Sequence, residues 1–307
     1  MAQLTVSDVL TQVQAGNSLG NAELSGIDLS GVRLDRVDFS AAYLRRTRLQ
    51  NSSCRGTNLA NATLILADLA GISLEEAVLT EAVLTQAHLE SANLQRCQAQ
   101  AAQFYGVRLD HADGCFGIFD RANLREVSAP QSRFKHASFV EACLDNANFS
   151  RASLEGARLN RSQWCQATLS GTSLATTDIT QANFTDTILV GANLSETQAT
   201  SAVFQQADLT AAVLCGAQLD WSDFWNSILV RANLTQASLY NATLEYANLM
   251  EANLTGADLR DANLENAQMD RVCLEGCQVK GAIFTDVTGL SGVQKRWLKR
   301  HGALNVA

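Results

Sequence analysis

The sequence predicts an all-β solenoid, a fold in which short extended segments wind into stacked coils. Two observations support this. A large apolar residue, most often Leu or Phe, occupies nearly every fifth position from Leu19 to Phe284. Two residues before it, from Ala22 to Ala282, the side chain is usually small. Helices bury residues at a spacing near 3.6 and plain strands at a spacing of two, so neither produces this period. A short extended segment followed by a corner does, because both sites then face one axis.

Packing of the interior predicts how the exceptions are accommodated. In this solenoid the large residue fills the interior, and the small one lets the chain turn close to the neighbouring coil. Four undersized central residues are each followed, five positions later, by Phe, which we expect to fill the missing volume. The pairs are Ala99 with Phe104, Gly114 with Phe119, Ala129 with Phe134, and Ala199 with Phe204. Three of the pairs lie between Ala99 and Phe134, a stretch that also contains the only proline, Pro130, and we expect a bulge or kink there.

The unit Ala-(Asp/Asn)-Leu-x-x recurs along the chain, as in Ala252-Asn253-Leu254 and Ala257-Asp258-Leu259. This pattern resembles the pentapeptide-repeat family over most of the sequence. The resemblance implies a right-handed quadrilateral β-helix with four pentapeptides per coil and about 13 coils. Periodicity alone does not choose between three and four sides, so the number of faces and the handedness depend on the resemblance.

The five-residue pattern divides the chain into three regions. Residues 17–286 are predicted to form the β-helix, and residues 1–16 and 287–307 to form short helical caps that cover its open ends. Ser7 is the expected N-cap of the first helix and Gly16 its end. Its apolar side would be formed by Val9, Leu10 and Val13.

The C-terminal segment predicts a second helix, with Ser291 as its N-cap and Gly302 after its end. Trp297 and Leu298 lie on its apolar stripe with Leu290 and Val293. The later turns carry basic residues, which suit the helix dipole. Two interpretations of Trp297 and Leu298 stay open. They cover the last coil, or they form a homodimer interface, because the resemblance includes topoisomerase-protecting proteins that dimerise through their C-termini.

No arrangement of residues predicts catalysis, a cofactor or a metal. Cys273 and Cys277 have a ligand-like spacing, but one falls in an outward register and the other in an inward register, so they should diverge. The sequence has no nucleophile–base pair and no glycine-rich phosphate loop. A solenoid filled by Leu also leaves no cavity for a small-molecule substrate. We therefore expect a protein that is not an enzyme.

Composition excludes several classes of protein. The chain is 47% hydrophobic and 18% charged, which argues against disorder. It has no run of 18 apolar residues, so no membrane span is expected. A net charge of −8 disfavours nucleic acid as a ligand. The N-terminus lacks the basic and apolar regions of a secretory signal, and eight cysteines then indicate thiols of a reducing compartment. These features predict a cytoplasmic protein.

Charge on the outer surface is segmented. An N-terminal zone is rich in arginine, whereas residues 56–95 and 162–230 contain acids and no Lys or Arg. A solvated surface explains such segments, and so does an electrostatic footprint for a basic partner. The arginines are Arg33, Arg36, Arg45, Arg46, Arg48 and Arg55, and the acids of the second acidic segment are Asp178, Asp186, Glu196, Asp208, Asp220 and Asp223.

Four aromatic residues fall in outward registers within about two coils: Trp221, Trp225, Tyr240 and Tyr246. On a four-sided coil they would gather at the two corners of one face, with Val203 on that face and Ile228 on the next. Trp and Tyr commonly anchor protein–protein contacts, so we expect a partner-binding site here. Two alternatives are that a terminal segment covers the rings or that they lie against the wall. A smaller outward apolar group consists of Ile65, Leu66, Val78 and Val83.

These features together predict a non-enzymatic scaffold that displays rigid faces to an unidentified protein partner. Three alternatives stay open. The resemblance implies a DNA-mimicking topoisomerase-binding protein or a regulator of cell differentiation that binds a transcription regulator. The third alternative is a structural spacer that associates with itself.

Overall fold

The computed structural model describes residues 4–307, which form two compact units. Unit 1 is Met1–Ser153 and unit 2 is Leu154–Ala307. In each unit the chain winds into coils of the same pentapeptide, and the large central residues of the repeat are buried. Two α-helices lie outside the coils, α1 over Val6–Gln14 and α2 over Gly292–Arg300.

A pentapeptide of unit 2 shows the conformation that both units repeat. Ala252 and Leu254 are buried, and Asn253 between them points outward. The chain then turns, and the N–H of Ala257 donates to the carbonyl of Leu254 over 2.9 Å. Gly256 has a φ of 70°, as the third residue of a type II turn requires. The inward pair and the corner together account for the period of five.

Register establishes the number of sides. Asn253 forms one parallel bridge with Asn233, four pentapeptides before it, and another with Cys273, four pentapeptides after it. One coil therefore contains four pentapeptides, and the β-helix is quadrilateral, as predicted. The N–H of Leu254 donates to Cys273 O and the N–H of Asn253 donates to Ala232 O, over 3.0 and 2.9 Å. Within residues 4–307 the extended segments are so short that each is a single bridged residue rather than a longer strand.

The Asp or Asn before the central Leu has a structural reason. The second residue after it begins the corner, and its N–H donates to the Asx side chain. The N–H of Thr235 thus donates to Asn233 Oδ1 over 3.1 Å, and the N–H of Ser195 donates to Asn193 Oδ1 over 3.1 Å. An Asx side chain satisfies a backbone donor that coil stacking does not use.

Pro130 does not distort unit 1, so the expected bulge or kink is wrong. It occupies the second position of a corner, where a ring-fixed φ suits the turn and no ladder donor is lost. Its carbonyl accepts from the N–H of His111 over 3.1 Å, as in the other coils. The bridges on either side of it continue in register, Arg108 to Ser128 and Ser128 to Asn148.

The space beside Gly114 was predicted to be filled by Phe119, five positions later, and this prediction is wrong. A Cβ at this position would lie 2.2 Å from Phe134 Cε1, and the three nearest atoms all belong to Phe134. Its space is therefore filled by a ring one coil further along, not by Phe119 on the adjoining face. Phe119 stacks on Phe139 instead, with ring centroids 5.0 Å apart.

In unit 2, one side of the interior is a column of parallel rings. Trp164, Phe184, Phe204 and Phe224 follow one another once per coil, with centroids 6.0, 5.2 and 4.9 Å apart. The indole N–H of buried Trp164 donates to Ser162 Oγ over 2.8 Å. Register alone produces this stack, because residues separated by four pentapeptides occupy the same place in successive coils.

Helix α1 begins earlier in the chain than predicted. Thr5, not Ser7, is its N-cap, because Thr5 and Asp8 form a capping box. The end is as expected: Gly16 has a φ of 71°, and its N–H donates to Val13 O over 3.0 Å. Val9 is the residue of α1 that is fully buried.

Helix α2 begins as predicted, with Ser291 and Gln294 in a capping box. Leu298 is fully buried, whereas Val293, expected on the same stripe, is 68% exposed. After the helix the chain returns to the β-helix, where Leu304 forms a parallel bridge with Ile283. The sequence does not predict this bridge, because residues 303–307 lack the repeat.

Candidate protein-binding surface

The four outward aromatic residues lie at two neighbouring corners of unit 2. Trp221 and Tyr240 share one corner, with ring centroids 6.0 Å apart and an interplanar angle of 88°. Trp225 and Tyr246 share the next, at 6.4 Å and 72°. Trp221, Trp225 and Tyr246 are 59%, 38% and 51% exposed, and Tyr240 is half-buried. We call these four residues the aromatic surface.

Corner geometry keeps these rings outside. Trp221 and Tyr246 have φ values of 61° and 60°, as the third residues of their turns. Trp225 begins a corner, and its N–H donates to Asp223 Oδ1 over 2.9 Å. No segment within residues 4–307 buries Trp221. Of the four rings, only that of Tyr240 is half-buried, as expected for a ring that lies against the wall of the β-helix.

Arg260 holds the first corner in place. Its guanidinium carbon lies 5.6 Å from the centroid of Tyr240, a cation–π contact. The same guanidinium binds Asp258 through two nitrogens, with Nη2 2.5 Å from Oδ2. This hydrogen bonding lowers the pKa of the Asp258 carboxyl. Arg260, Tyr240 and Trp221 therefore form one ordered cluster that spans three successive coils.

The face between the two aromatic corners is polar at its centre. Asp223 accepts from Trp225 N–H and from Gln205 Nε2, the latter over 2.6 Å. It is bridged to Val203 on one side and to Thr243 on the other. The surface thus combines rings at the corners with a carboxylate between them.

The next face carries a column with two exposed isoleucines, and only part of this column was predicted. Ile188 and Ile228 are 43% and 40% exposed, and both are bridged to Asp208 between them. Of these residues, only Ile228 was predicted beside the aromatic residues. The signal was present in the sequence, because the string Ile-Leu-Val occurs at 188–190 and again at 228–230, two coils later. We call Ile188, Asp208 and Ile228 the isoleucine column.

The carboxylates of unit 2 are interrupted along the coils. In the isoleucine column the single carboxylate, Asp208, is flanked by apolar side chains. Its Oδ1 accepts from Thr210 N–H and Oγ1, over 2.9 and 2.6 Å. Within residues 20–153 and within residues 154–286, no outward column carries carboxylates in three successive coils. Continuous acidic stripes, which DNA mimicry requires, are therefore not formed.

Unit 1 presents a different surface. Arg48 pairs with Asp28 over 2.9 Å and Arg55 with Glu75 over 3.1 Å, so acids partly neutralise the arginine-rich zone. In the smaller apolar group Leu66 is 37% exposed, and Ile65, Val78 and Val83 are half-buried. Phe116, which the sequence analysis did not name, is 54% exposed. Its ring stacks on His136 with centroids 5.2 Å apart.

The cysteines are all free thiols. Cys277 is buried and its Sγ–H donates to Leu254 O over 2.9 Å, whereas Cys273 is exposed. Burial raises the pKa of Cys277, and likewise of Cys54 and Cys97, to about 12. In the part of the chain that the structure describes, no cluster of His, Cys, Asp or Glu has the composition of a metal site. The void beside Cys54 inside unit 1 measures about 10 Å³, room for about one water.

At the C-terminus, Trp297 and Leu298 differ in their burial. Leu298 is fully buried. Trp297 is half-buried and stacks on His301 with centroids 4.3 Å apart. Together with exposed Val293, Trp297 borders an open groove that includes Leu274. Neither α1 nor α2 has the length and apolar character needed to cross a membrane.

The repeat identifies the class of protein. The family model of pentapeptide repeats matches in eight copies, which together run from residue 18 to residue 286. The matched segments are residues 18–51, 42–80, 77–113, 118–156, 147–186, 177–216, 217–256 and 247–286. The chain therefore belongs to the pentapeptide-repeat family, whose fold is a right-handed quadrilateral β-helix.

Solved structures include several similar proteins. HetL, a pentapeptide-repeat protein involved in heterocyst differentiation regulation in the cyanobacterium Nostoc sp. strain PCC 7120, is 30% identical, with 94% of this chain and 99% of HetL covered and a TM-score of 0.33. QnrB1, a plasmid-mediated fluoroquinolone resistance protein, is 16% identical, with coverages of 64% and 90% and a TM-score of 0.25.

A thylakoid-lumen pentapeptide-repeat protein of Arabidopsis thaliana is 28% identical, with 44% of this chain and 77% of that protein covered and a TM-score of 0.17. Because these TM-scores are low, the family assignment depends on the repeat match. No curated protein sequence matches the chain significantly.

Proposed function

We propose that this protein is a non-enzymatic scaffold that binds a protein partner through the aromatic surface of unit 2. The observation that carries the proposal is the exposure of Trp221, Trp225 and Tyr246 at two adjacent corners. Exposed apolar side chains that cluster mark interaction sites, and Trp and Tyr supply much of the binding energy of protein interfaces. All eight cysteines are free, which supports a reducing compartment such as the cytoplasm.

Rigidity is the mechanism of this binding. The rings project from corners whose backbone donors are used by coil stacking and by Asx side chains, as at Asp223. The Trp221 N–H donates to Tyr240 O over 2.9 Å, which ties the first corner to the next coil. A surface that is already ordered loses little conformational entropy on binding, so contact energy is converted efficiently into affinity.

Replacement of both tryptophans tests the proposal. In an affinity capture from the native host, Trp221→Ser/Trp225→Ser should abolish recovery of the partner while the melting temperature stays within about 2 °C. The matched control is Phe116→Ser, which removes an exposed ring from unit 1 and should leave capture intact. Undiminished capture by the double variant, with the fold preserved, contradicts the proposal.

For the C-terminus we propose that Leu298 covers the last coil and that Trp297 and Val293 are available for self-association. The burial of Leu298 and the 68% exposure of Val293 support this division. Light scattering of the full chain should show a dimer that Val293→Glu converts to a monomer without unfolding. A full-length monomer rules out the homodimer, and the helix is then only a cap.

A further inference from the structure

We propose that the isoleucine column of unit 2 binds a basic amphipathic α-helix, with Ile188 and Ile228 contacting two apolar residues of the helix and Asp208 pairing with a Lys or Arg between them. The inference deepens the proposed function, on which it rests, by naming the chemistry of the partner. The partner helix would lie along the stacking direction of the coils.

Spacing favours a helix as the occupant. Ile188, Asp208 and Ile228 are bridged in successive coils. Successive coils are roughly 4.8 Å apart, so the two isoleucines are separated by roughly 9.6 Å along the stack. In an α-helix, residues i and i+7 are about 10.5 Å apart, and residues i and i+3 about 4.5 Å. An apolar–basic–apolar pattern at i, i+3 or i+4, and i+7 therefore matches the column.

An extended segment does not match. Side chains on one face of a strand recur every ~6.8 Å, which coincides with neither one coil nor two. The backbone of the column is also already paired. The N–H of Asp208 donates to Thr187 O and the N–H of Ile228 to Ala207 O, each over 2.9 Å. A partner strand would find no free edge on this face, so binding must occur through side chains.

The charge of this surface indicates that the partner is positively charged. Residues 162–230 contain six acids and no Lys or Arg, and Arg231, at the corner that also carries Val230, is paired with Glu251 over 2.7 Å. Asp208 uses Oδ1 for its two bonds from Thr210, and within residues 4–307 no hydrogen bond or ion pair involves its Oδ2. A Lys or Arg of the partner would reach this oxygen. The apolar contacts on either side would then exclude water from the ion pair.

Apolar side chains flank the isoleucine column at the corners on both sides. On one side are Trp225 and Tyr246, which also belong to the aromatic surface. On the other side are Val190, which is 36% exposed, and Val230, which is half-buried. A helix that lies along the isoleucine column would therefore contact apolar side chains on both sides of its central stripe.

A synthetic peptide tests the inference directly. The probe is an alanine-rich 18-residue helix with Leu at positions i and i+7 and Lys at i+3 and i+4, titrated against the full chain by fluorescence anisotropy. Binding should weaken about tenfold or more in Ile188→Thr/Ile228→Thr and at least about threefold in Asp208→Asn. Val213→Thr, which changes an outward residue of another face, should bind like the parent.

Two control peptides sharpen the result. A peptide with Glu in place of both Lys should not bind, and neither should one with a central Pro, which cannot form a continuous helix. Absence of binding by the Lys peptide overturns the inference. Equal binding by the Glu or Pro peptide, or equal binding by the isoleucine variants, also overturns it.

Capture from the host separates this inference from the proposed function. Loss of the partner in Trp221→Ser/Trp225→Ser but not in Ile188→Thr/Ile228→Thr leaves the proposed function standing and refutes the helix. Retention of the partner in both refutes both. If sedimentation shows a dimer of the full chain that the isoleucine variant dissolves, the column contacts a second copy, which also overturns the helix inference.

Discussion

The two units fill the same kind of coil in different ways. In unit 1 most of the interior ring contacts are edge to face across neighbouring sides of the coil, and Phe119 and Phe139 are the stacked pair. Phe119 meets Phe134 at an interplanar angle of 79°, and Phe104 meets Phe119 at 64°. In unit 2 the rings lie parallel in one column, with Phe204 and Phe224 inclined by 7°. The period of five thus specifies which residues face inward but not how they pack.

The cause of the difference is the distribution of volume. Unit 1 has Gly114 at a central position, which opens space that Phe134 enters from the next coil. The Phe134 ring meets Phe119, Phe139 and Phe149 at interplanar angles of 79°, 68° and 55°. In unit 2 the aromatic residues recur once per coil from Trp164, so they stack without competition for space. Close packing is reached by both arrangements.

Among the changes that test this comparison, removal of an interior ring should lower the free energy of unfolding most. Phe204→Ala should lower the free energy of unfolding by about 3–5 kcal/mol, because it opens a void between Phe184 and Phe224. Phe134→Ala should lie at the upper end of that range, since it also uncovers Gly114. Denaturant unfolding of the full chain measures both. A loss below about 1 kcal/mol for Phe204→Ala would mean that the stacked column does not support unit 2.

Restoring the consensus residue in unit 1 should destabilise it. Gly114→Leu places the commonest central residue where Phe134 already lies, so we expect a loss of about 1–3 kcal/mol from overpacking. Gly114→Leu/Phe134→Leu should recover most of that loss, because the two sites share one volume. Additive losses in the double variant would show that the two positions pack independently.

The Asx contact at the corners should contribute less. Asn233→Ala removes the acceptor for the N–H and Oγ1 of Thr235, which we expect to cost about 1 kcal/mol. The matched control is Val213→Ala, in the same column one coil earlier, where no such bond exists and the loss should be about 0.5 kcal/mol or less. Similar losses in the two variants would remove the explanation given for Asp and Asn before the central Leu.

Acid should affect both units through the same kind of carboxyl. In unit 1, hydrogen bonds from Ser18 and Ser40 lower the pKa of Asp38, and in unit 2 the side chain of Arg260 lowers the pKa of Asp258. A lowered folded pKa stabilises the protein fully above the unfolded value, near 3.9, and this contribution is lost as pH falls through the folded value. The melting temperature should therefore fall below about pH 4.

Replacement of single carboxyls assigns this acid sensitivity. Asp38→Asn and Asp258→Asn should each lower the melting temperature at pH 7 and reduce its dependence on pH below about 4. Differential scanning calorimetry at several pH values measures both slopes. An unchanged slope in both variants would place the acid-sensitive groups elsewhere.

Several local features were predictable because they depend on short-range chemistry. The capping box at Ser291 requires only Ser and Gln at the right separation along the chain. The inward positions follow from the period, because every pentapeptide places its central residue in an equivalent position that faces the interior. Thr5 was missed as a cap because Thr5–Asp8 and Ser7 are both plausible N-termini by spacing, and only the turn geometry distinguishes them.

The aromatic surface was found from outward register, and the isoleucine column was half found. Ile188 and Ile228 are distant in the sequence, and their proximity depends on a coil of four pentapeptides, which periodicity alone did not establish. The bridge from Leu304 to Ile283 was not predictable, because residues after α2 contain no repeat.

Sequence therefore decides which side chains face the interior and which face solvent, since a strict period needs no contact between distant residues. The number of sides, the partner of each ring and the neighbours of each outward residue depend on hydrogen bonds between successive coils. Those bonds exist only in the stacked structure. Gly114 shows the consequence: the residue that fills its space is set by the next coil, not by the next pentapeptide.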